Sequence, residues 1–183
     1  MNILLANLTY LPHLGGIENS FRHISEIYQK QGHNVIIVCS NVKPGNRGKL
    51  EQNETINGVK VYRYNRFSPI FDFLKPFVNL TDIIQSYLLV RKLDLIYDFD
   101  FSIVRNMKVG VGARLALKAK PVIYVLSSIT KFLDYKKLNE FKGHYISNLI
   151  RWFYHNKITL GQDVYFEKVL LRISSLNVVF SKN

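Results

Sequence analysis

The first 38 residues carry the pattern that most constrains the fold: two short apolar runs separated by a glycine-containing loop and an amphipathic helix. Residues 3–6 are apolar and few enough to form a buried parallel strand. The helix is predicted from apolar residues at spacings of four, three and four: Ile17, Phe21, Ile24 and Tyr28. Gly32 stands where a helix C-cap belongs, and residues 35–38 begin a second apolar strand. The chain is therefore predicted to open with a β-loop-α-β unit.

The loop of this unit has the features of an anion-binding site. Gly15 and Gly16 lie directly ahead of the helix, so a ligand can approach their backbone without Cβ atoms in the way. The unpaired N–H groups of a helix start point at such a ligand, and the helix dipole favours a negative charge such as a phosphate. A glycine pair by itself is more often only a flexible turn. This pair, however, follows the carboxyl end of the first predicted strand, where open α/β sheets bind ligands.

The chain beyond this unit predicts further strands and helices. A surface loop over 41–53 leads to a turn at Asn57-Gly58 and a half-exposed strand over 59–64. Later helices are predicted from within 67–77 to about Lys92, and over 105–119, 131–156 and 162–174. Later strands are predicted over 93–101, 121–129 and 176–180. This order implies one Rossmann-like α/β domain over residues 1–183, with a mostly parallel sheet and helices on both faces.

Three of these helices carry side-chain patterns with specific consequences. The helix ending near Lys92 is expected to bury Leu80, Ile83, Ile84, Tyr87 and Leu88. The helix over 105–119 places Met107, Val111 and Leu115 on one face. Its two glycines lie inside a helix rather than after a strand, and the third glycine of a dinucleotide-binding fingerprint is missing. They therefore indicate close helix packing rather than a dinucleotide site. The basic, aromatic stretch 131–156 favours a core helix, with a surface that binds anionic lipid as the alternative.

The charge balance restricts the classes of partner. The net charge of +12 and the pI near 9.8 are compatible with a nucleic acid, an anionic membrane surface or an anionic substrate as partner, and equally with a charge that serves solubility alone. We do not expect nucleic-acid binding, because the basic residues are scattered and no recognition motif occurs. Neither a secretion signal nor an apolar stretch long enough to span a membrane is evident, which predicts a cytoplasmic protein, peripheral to a membrane at most. Cys39, the only cysteine, ends a predicted strand and reads as a small buried hydrophobe.

A family resemblance rests on the loop. The run YLPHLGGIE at 10–18 resembles the P-P-H-x-G-G-[IV]-E loop of the family 4 retaining glycosyltransferases, which have the two-domain GT-B fold. The matching residues stand at the same distance from the chain start: Pro12, His13, Gly15, Gly16 and Glu18. The segments NILL, QGHNV and NGVKVYR are also similar to family patterns. The resemblance covers the chain nearly end to end and implies the N-terminal, acceptor-side domain of such an enzyme.

The resemblance also implies roles for individual residues. Gly15 and Gly16 would contact the diphosphate of a nucleotide-sugar donor, with Ile17 and Glu18 opening the helix that faces it. The residues expected to contact a sugar or lipid acceptor are Tyr10, His13, Asp100 and Ser127. No catalytic residue is identified, and His13, Asp100 and Ser127 are the candidates. No metal and no cofactor are expected. Asp98 and Asp100 stand two apart at the expected carboxyl end of strand 93–101, where solvated strand ends are an equally good interpretation.

The chain departs from the family pattern at two strand ends. Ser127 and Ser128 occupy the places of a family histidine and glycine, and Tyr97 and Phe99 occupy those of two histidines. These departures indicate a divergent acceptor pocket or altered chemistry. The donor-binding domain, which follows in the family, is not part of the 183 residues, so we expect this fragment to be inactive alone. The alternatives are a non-catalytic membrane- or partner-binding module and a sugar-nucleotide epimerase-like GT-B protein.

Overall fold

The computed structural model describes residues 1–46, 48–68, 74–126 and 152–179. Ser127, Ser128, most of the predicted helix 131–156 and the last residue of the predicted strand 176–180 lie outside the described residues.

Seven strands form one sheet in the order β3-β4-β2-β1-β5-β6-β7. All neighbouring strands pair in parallel except β3 and β4, which form an antiparallel hairpin. Asn57 and Gly58 both have positive φ in that hairpin, as a type I′ turn requires, so the predicted turn is confirmed. The strands are β1 Asn2–Ala6, β2 Asn34–Ser40, β3 Asn53–Ile56, β4 Val59–Tyr64, β5 Phe101–Val104, β6 Val122–Leu126 and β7 Leu176–Val179.

Within the described residues, four α-helices cover the sheet: α1 Gly16–Lys30, α2 Lys75–Tyr97, α3 Met107–Leu117 and α4 Leu160–Ile173, the last continuing a π-helical segment, Tyr154–Thr159. The end of α1 is a Schellman motif. The N–H of Gly32 donates to the carbonyl of Gln29 at 2.9 Å, and the N–H of His33 donates to that of Tyr28 at 3.0 Å. Gly32 has a φ of 81°, which confirms the predicted glycine cap.

Two apolar cores lie on opposite faces of the sheet. Leu4 and Ile36 point into the core under α2, α3 and α4, whereas Ile3 and Ile37 point into the core under α1. This alternation explains why β1 and β2 are apolar at nearly every position, since both faces of a doubly covered sheet are buried. The predicted Rossmann-like α/β fold is confirmed.

The prediction of a strand over 93–101 is wrong. The helix α2 continues to Tyr97, because Val90 and Leu93 pack into the core with α3 and extend its buried face. Asp98 ends the helix with a left-handed conformation, φ 49°. The strand is Phe101–Val104, so its carboxyl end falls at Val104 rather than at the aspartates.

The predicted buried face of α2 is also mostly wrong. Ile83 is buried and Tyr87 packs partly buried against the same core, but Leu80, Ile84 and Leu88 are exposed. The buried positions on α2 include three polar residues: Asn79, Asp82 and Ser86. The helix packs closely on α3, where a Cβ on Gly112 would overlap Ser86 Oγ and lie 2.7 Å from the Ile83 carbonyl oxygen. The glycines of α3 therefore serve close packing, as predicted, whereas Leu115 points outward.

Candidate functional site

The loops after β1 and β5 diverge at the carboxyl edge of the sheet. The chain after β1 enters α1 on one face, and the chain after β5 enters α3 on the other face. The two strands are neighbours, and the N–H of Arg105 donates to the carbonyl of Ala6 at 3.2 Å. Such a topological switch point leaves a crevice outside the strand ends, which is where doubly wound sheets bind ligands.

The start of α1 lies at this crevice with its backbone N–H groups available. Within the described part of the chain, no side chain caps α1, for which Gly15 is the N-cap residue. The start of α3 differs, because Asn106 Oδ1 accepts from the N–H groups of Lys108 at 3.1 Å and Val109 at 3.3 Å. Of the two helix starts that flank the crevice, α1 is therefore the one suited to an anionic ligand.

The two glycines of the loop are required for different reasons. Gly15 has extended backbone angles that any residue adopts, but a Cβ there would lie 2.6 Å from Glu18 Oε2. Gly16 has no described atom within 4 Å of where its Cβ would be, so its position is open. Gly15 thus makes room for the side chain of Glu18, and Gly16 leaves the start of α1 accessible to a ligand.

Glu18 holds the loop against the helix. Its Oε1 accepts from Thr9 Oγ1 at 2.5 Å, which joins the first turn of α1 to the segment after β1. Burial lowers the pKa of Arg105, and the negative charge of Glu18 partly opposes that shift. The hydrogen bond to Thr9 gives Glu18 a positioning role at the start of α1.

His13 is fixed within the same loop. Its Nε2 lies 2.7 Å from the carbonyl oxygen of Val42, and its backbone N–H donates to the Tyr10 carbonyl at 3.2 Å, across the cis Leu11-Pro12 bond. A ring whose Nε2–H donates to a carbonyl keeps Nδ1 as a hydrogen-bond acceptor when it is neutral. The half-buried imidazole therefore has one nitrogen committed to structure.

The structure corrects two of the predicted acceptor residues and does not describe a third. Tyr10 is only 2 % exposed and packs in the core under α1, so it is not available to a ligand. Asp100 lies at the amino edge of the sheet, where its Oδ2 accepts from the N–H of Asn2 at 2.6 Å. It was misplaced because the strand was predicted too early. Ser127 lies outside the described residues.

Arg63 supports the glycine loop of the candidate site, and this role was not predicted from the sequence. Its side chain is fully buried, forms an ion pair with Glu54 and donates to the carbonyls of Leu11 at 2.7 Å and Glu51 at 3.2 Å. The Leu11 contact ties the glycine loop to β4. The signal was present in the alternation of this strand, since Arg63 follows Val59 and Val61 at the inward positions.

A buried polar cluster joins three helices on the other face of the sheet. Asp82 is 0 % exposed and accepts from Arg66 Nε at 3.2 Å, two residues after β4. Burial raises the pKa of Asp82, and the charges of Arg66 and Lys108 oppose that rise. Lys108 Nζ lies 3.0 Å from Asp163 Oδ1, and Asn79 Nδ2 donates to Gln162 Oε1 at 2.9 Å. These contacts connect α2, α3 and α4.

The described ranges contain no group of three or more His, Cys, Asp or Glu side chains that could hold a metal ion. In the same ranges, no helix combines the length and apolar character needed to cross a membrane.

Comparisons with known proteins identify solved structures that share this fold. No protein-family model matches the chain, and no curated protein sequence matches it. Solved structures do match. Sucrose-phosphate synthase from Thermosynechococcus elongatus aligns with a TM-score of 0.53 and 12 % identity, over 98 % of this chain and 47 % of that one. MurG from Acinetobacter baumannii aligns with a TM-score of 0.53 and 12 % identity, over 100 % and 42 %.

Os79 from O. sativa, solved with UDP and deoxynivalenol-3-glucoside, aligns with a TM-score of 0.56 and 7 % identity, over 98 % of this chain and 47 % of that one. The chain has the fold of a GT-B Rossmann-like domain. It spans less than half the length of each of these three structures.

Proposed function

We propose that this chain is the N-terminal, acceptor-side domain of a family 4 retaining GT-B glycosyltransferase. The whole enzyme moves a hexose from a nucleotide-sugar donor to a polysaccharide, lipid or small-molecule acceptor, with retention of the anomeric configuration. The observation that carries the proposal is the uncapped start of α1, with Gly15 and Gly16, at the topological switch point of the sheet. The fold likeness to glycosyltransferases supports the glycosyl-transfer part of this assignment.

In this proposal the helix start stabilises the leaving diphosphate. The N–H groups of Gly15, Gly16 and Ile17 donate to phosphate oxygens, and the dipole of α1 favours the negative charge that develops as the sugar departs. Glu18 fixes the first turn of α1 through Thr9, and Arg105, directly after β5, adds a positive charge at the same edge of the sheet. No resident metal is required by this scheme.

The acceptor lies beside the same loop in this proposal. Of the residues suggested by sequence, His13 remains at the loop, where Nδ1 can accept a hydrogen bond from an acceptor hydroxyl while Nε2 is held by Val42. Ser127 follows β6 in the chain and remains a candidate acceptor contact. Transfer requires a donor-binding domain on the other side of the crevice, so we expect residues 1–183 to be inactive alone.

The test uses the whole protein encoded by the gene and a panel of nucleotide sugars. Release of nucleoside diphosphate and the anomeric configuration of the product are measured for the wild type and for Gly16→Asp. An acidic residue in the first turn of a helix stabilises the helix, but this carboxylate would occupy the place of the diphosphate. We expect Gly16→Asp to fold normally and to lose at least about tenfold in kcat/KM, equivalent to ~1.4 kcal/mol.

The matched control is Gly161→Asp, which adds the same charge at a position in α4 that is also open among the described residues. It should retain wild-type activity. Unimpaired turnover by Gly16→Asp, or absence of sugar transfer by the whole wild-type protein with every donor, would contradict the proposed function.

A further inference from the structure

The second helix, α2, carries large apolar side chains on its outward face as well as towards the core. Its buried face includes Asn79, Asp82 and Ser86. Its outward face carries large apolar side chains that are 45–84 % exposed: Phe77, Leu80, Ile84, Leu88 and Leu95. We call these five residues the α2 stripe. Single exposed apolar residues are ordinary, but a contiguous row of them marks a contact surface.

The orientation of α2 is held by specific contacts with other elements. Asp82 is paired with Arg66, and Asn79 donates to Gln162 of α4. Gly112 of α3 fits against the backbone of α2 beside Ser86, where a larger residue would be excluded. Turning α2 to bury the stripe would leave these polar groups without their partners, so the outward position of the stripe is a property of the fold.

The spacing of the stripe indicates a flat contact. Phe77, Ile84, Leu88 and Leu95 follow one another at intervals of seven, four and seven residues. The offset of 18 positions from Phe77 to Leu95 equals about five turns of 3.6 residues, so the row runs straight along α2 for about 27 Å. A long helical partner would instead favour an interval of about 3.5 residues per turn, which winds around the helix.

The charge around the stripe indicates an anionic surface. Between Lys75 and Leu95 the acidic residues are Asp82, which is buried against Arg66, and Asp94, which pairs with Lys120. Arg91 and Lys92 are exposed beside the stripe, and Arg91 Nη1 donates to the Tyr87 hydroxyl at 2.9 Å. A second copy of this chain would bring a further +12 of formal charge to the contact, which opposes self-association.

We infer that the α2 stripe docks on an anionic lipid surface, with the five apolar side chains in the interfacial region and Arg91 and Lys92 at the headgroups. An apolar face bordered by cations binds membranes in this way, lying in the plane of the interface rather than crossing it. The inference rests on α2 alone and is independent of the proposed glycosyl transfer.

The experiment measures co-sedimentation of the full chain with phosphatidylcholine vesicles, with and without phosphatidylglycerol. We expect binding to the vesicles that contain phosphatidylglycerol, and weaker binding at high salt. The variant Leu80→Gln/Ile84→Gln/Leu88→Gln should reduce the affinity at least about tenfold, since three inserted side chains are replaced by polar ones. Because the replaced side chains face outward, the midpoint temperature of thermal unfolding should not fall.

The matched control replaces three exposed apolar residues on other helices: Ile27→Gln/Leu115→Gln/Tyr165→Gln. It should bind like the wild type, as should Gly16→Asp. The inference would be overturned by no binding of the wild type to anionic vesicles, or by an equal loss in the control. A wild-type dimer in light scattering that the α2 variant disrupts would also overturn it, because the stripe would then be a contact between copies of the chain.

Discussion

The guanidinium of Arg63 lies fully buried, with its Nη2 2.7 Å from the carbonyl oxygen of Leu11. One side chain of β4 thereby holds the loop that carries Gly15 and Gly16, and the ion pair with Glu54 compensates its charge. The geometry of the candidate site thus depends on a residue two strands away in the sheet.

Replacing Arg63 with Met is expected to lower the free energy of unfolding by about 3 kcal/mol, the usual effect of breaking a buried ion pair. The variant leaves the carbonyls of Leu11 and Glu51 without their donor. Urea denaturation measures the change. Lys60→Met on the same strand is the control, because Lys60 is exposed, and its effect should stay within about 0.5 kcal/mol. Equal effects of the two variants would contradict the stated role of Arg63.

The contact between α2 and α3 predicts a large effect of one methyl group. Gly112→Ala places a Cβ against Ser86 and the Ile83 carbonyl, so we expect a loss of about 2 kcal/mol from overpacking. Gly161→Ala adds the same group at an open helical position and should be neutral or stabilise by up to about 1 kcal/mol. Thermal unfolding measures the stability of both variants. Equal stability of the two would show that α2 and α3 are not in close contact.

Cys39 predicts a chemical and a pH effect. The thiol is 0 % exposed, and burial raises its pKa to about 12. A thiol reagent at about pH 8 should label Cys39 in urea but not in the native protein, because the thiolate is the reactive form. Rapid labelling of the native protein would show that β2 is not buried as described.

The sign of the pH effect follows from the raised pKa. The thiol of the unfolded chain ionises near its ordinary pKa of about 8.5, before the native one does. The stability that Cys39 contributes is therefore complete below that value and is lost as the pH rises towards about 12. Cys39→Ala should lack this part of the alkaline loss of stability. A comparison of urea midpoints across this range measures the difference between the two proteins.

The sequence predicted those elements whose pattern has a local cause. The unit β1-α1-β2 follows from apolar runs, a helical period and a glycine cap, and the hairpin turn follows from Asn57-Gly58. The buried face of α2 could not be predicted in this way. It is decided by partners that lie far away in the chain: Arg66, Gly112 and Gln162.

The placement of the candidate site residues was likewise predicted only where it has a local cause. Gly15, Gly16 and Glu18 lie next to one another in the sequence, and the structure places them at the switch point. Asp100 was misplaced because a helix that continues to Tyr97 and a strand that begins at Phe101 have similar apolar patterns. Arg63 could have been found, since a charged residue at an inward position of a strand requires a buried partner.

The central claim is that the start of α1 receives the diphosphate of the donor. Nuclear magnetic resonance of the whole protein, labelled with ¹⁵N-glycine and titrated with a panel of nucleoside diphosphates, tests it most directly. We predict that the amide resonances of Gly15 and Gly16 shift on binding, while that of Gly161 does not. Saturable nucleotide binding that leaves the resonances of Gly15 and Gly16 unchanged would contradict the account.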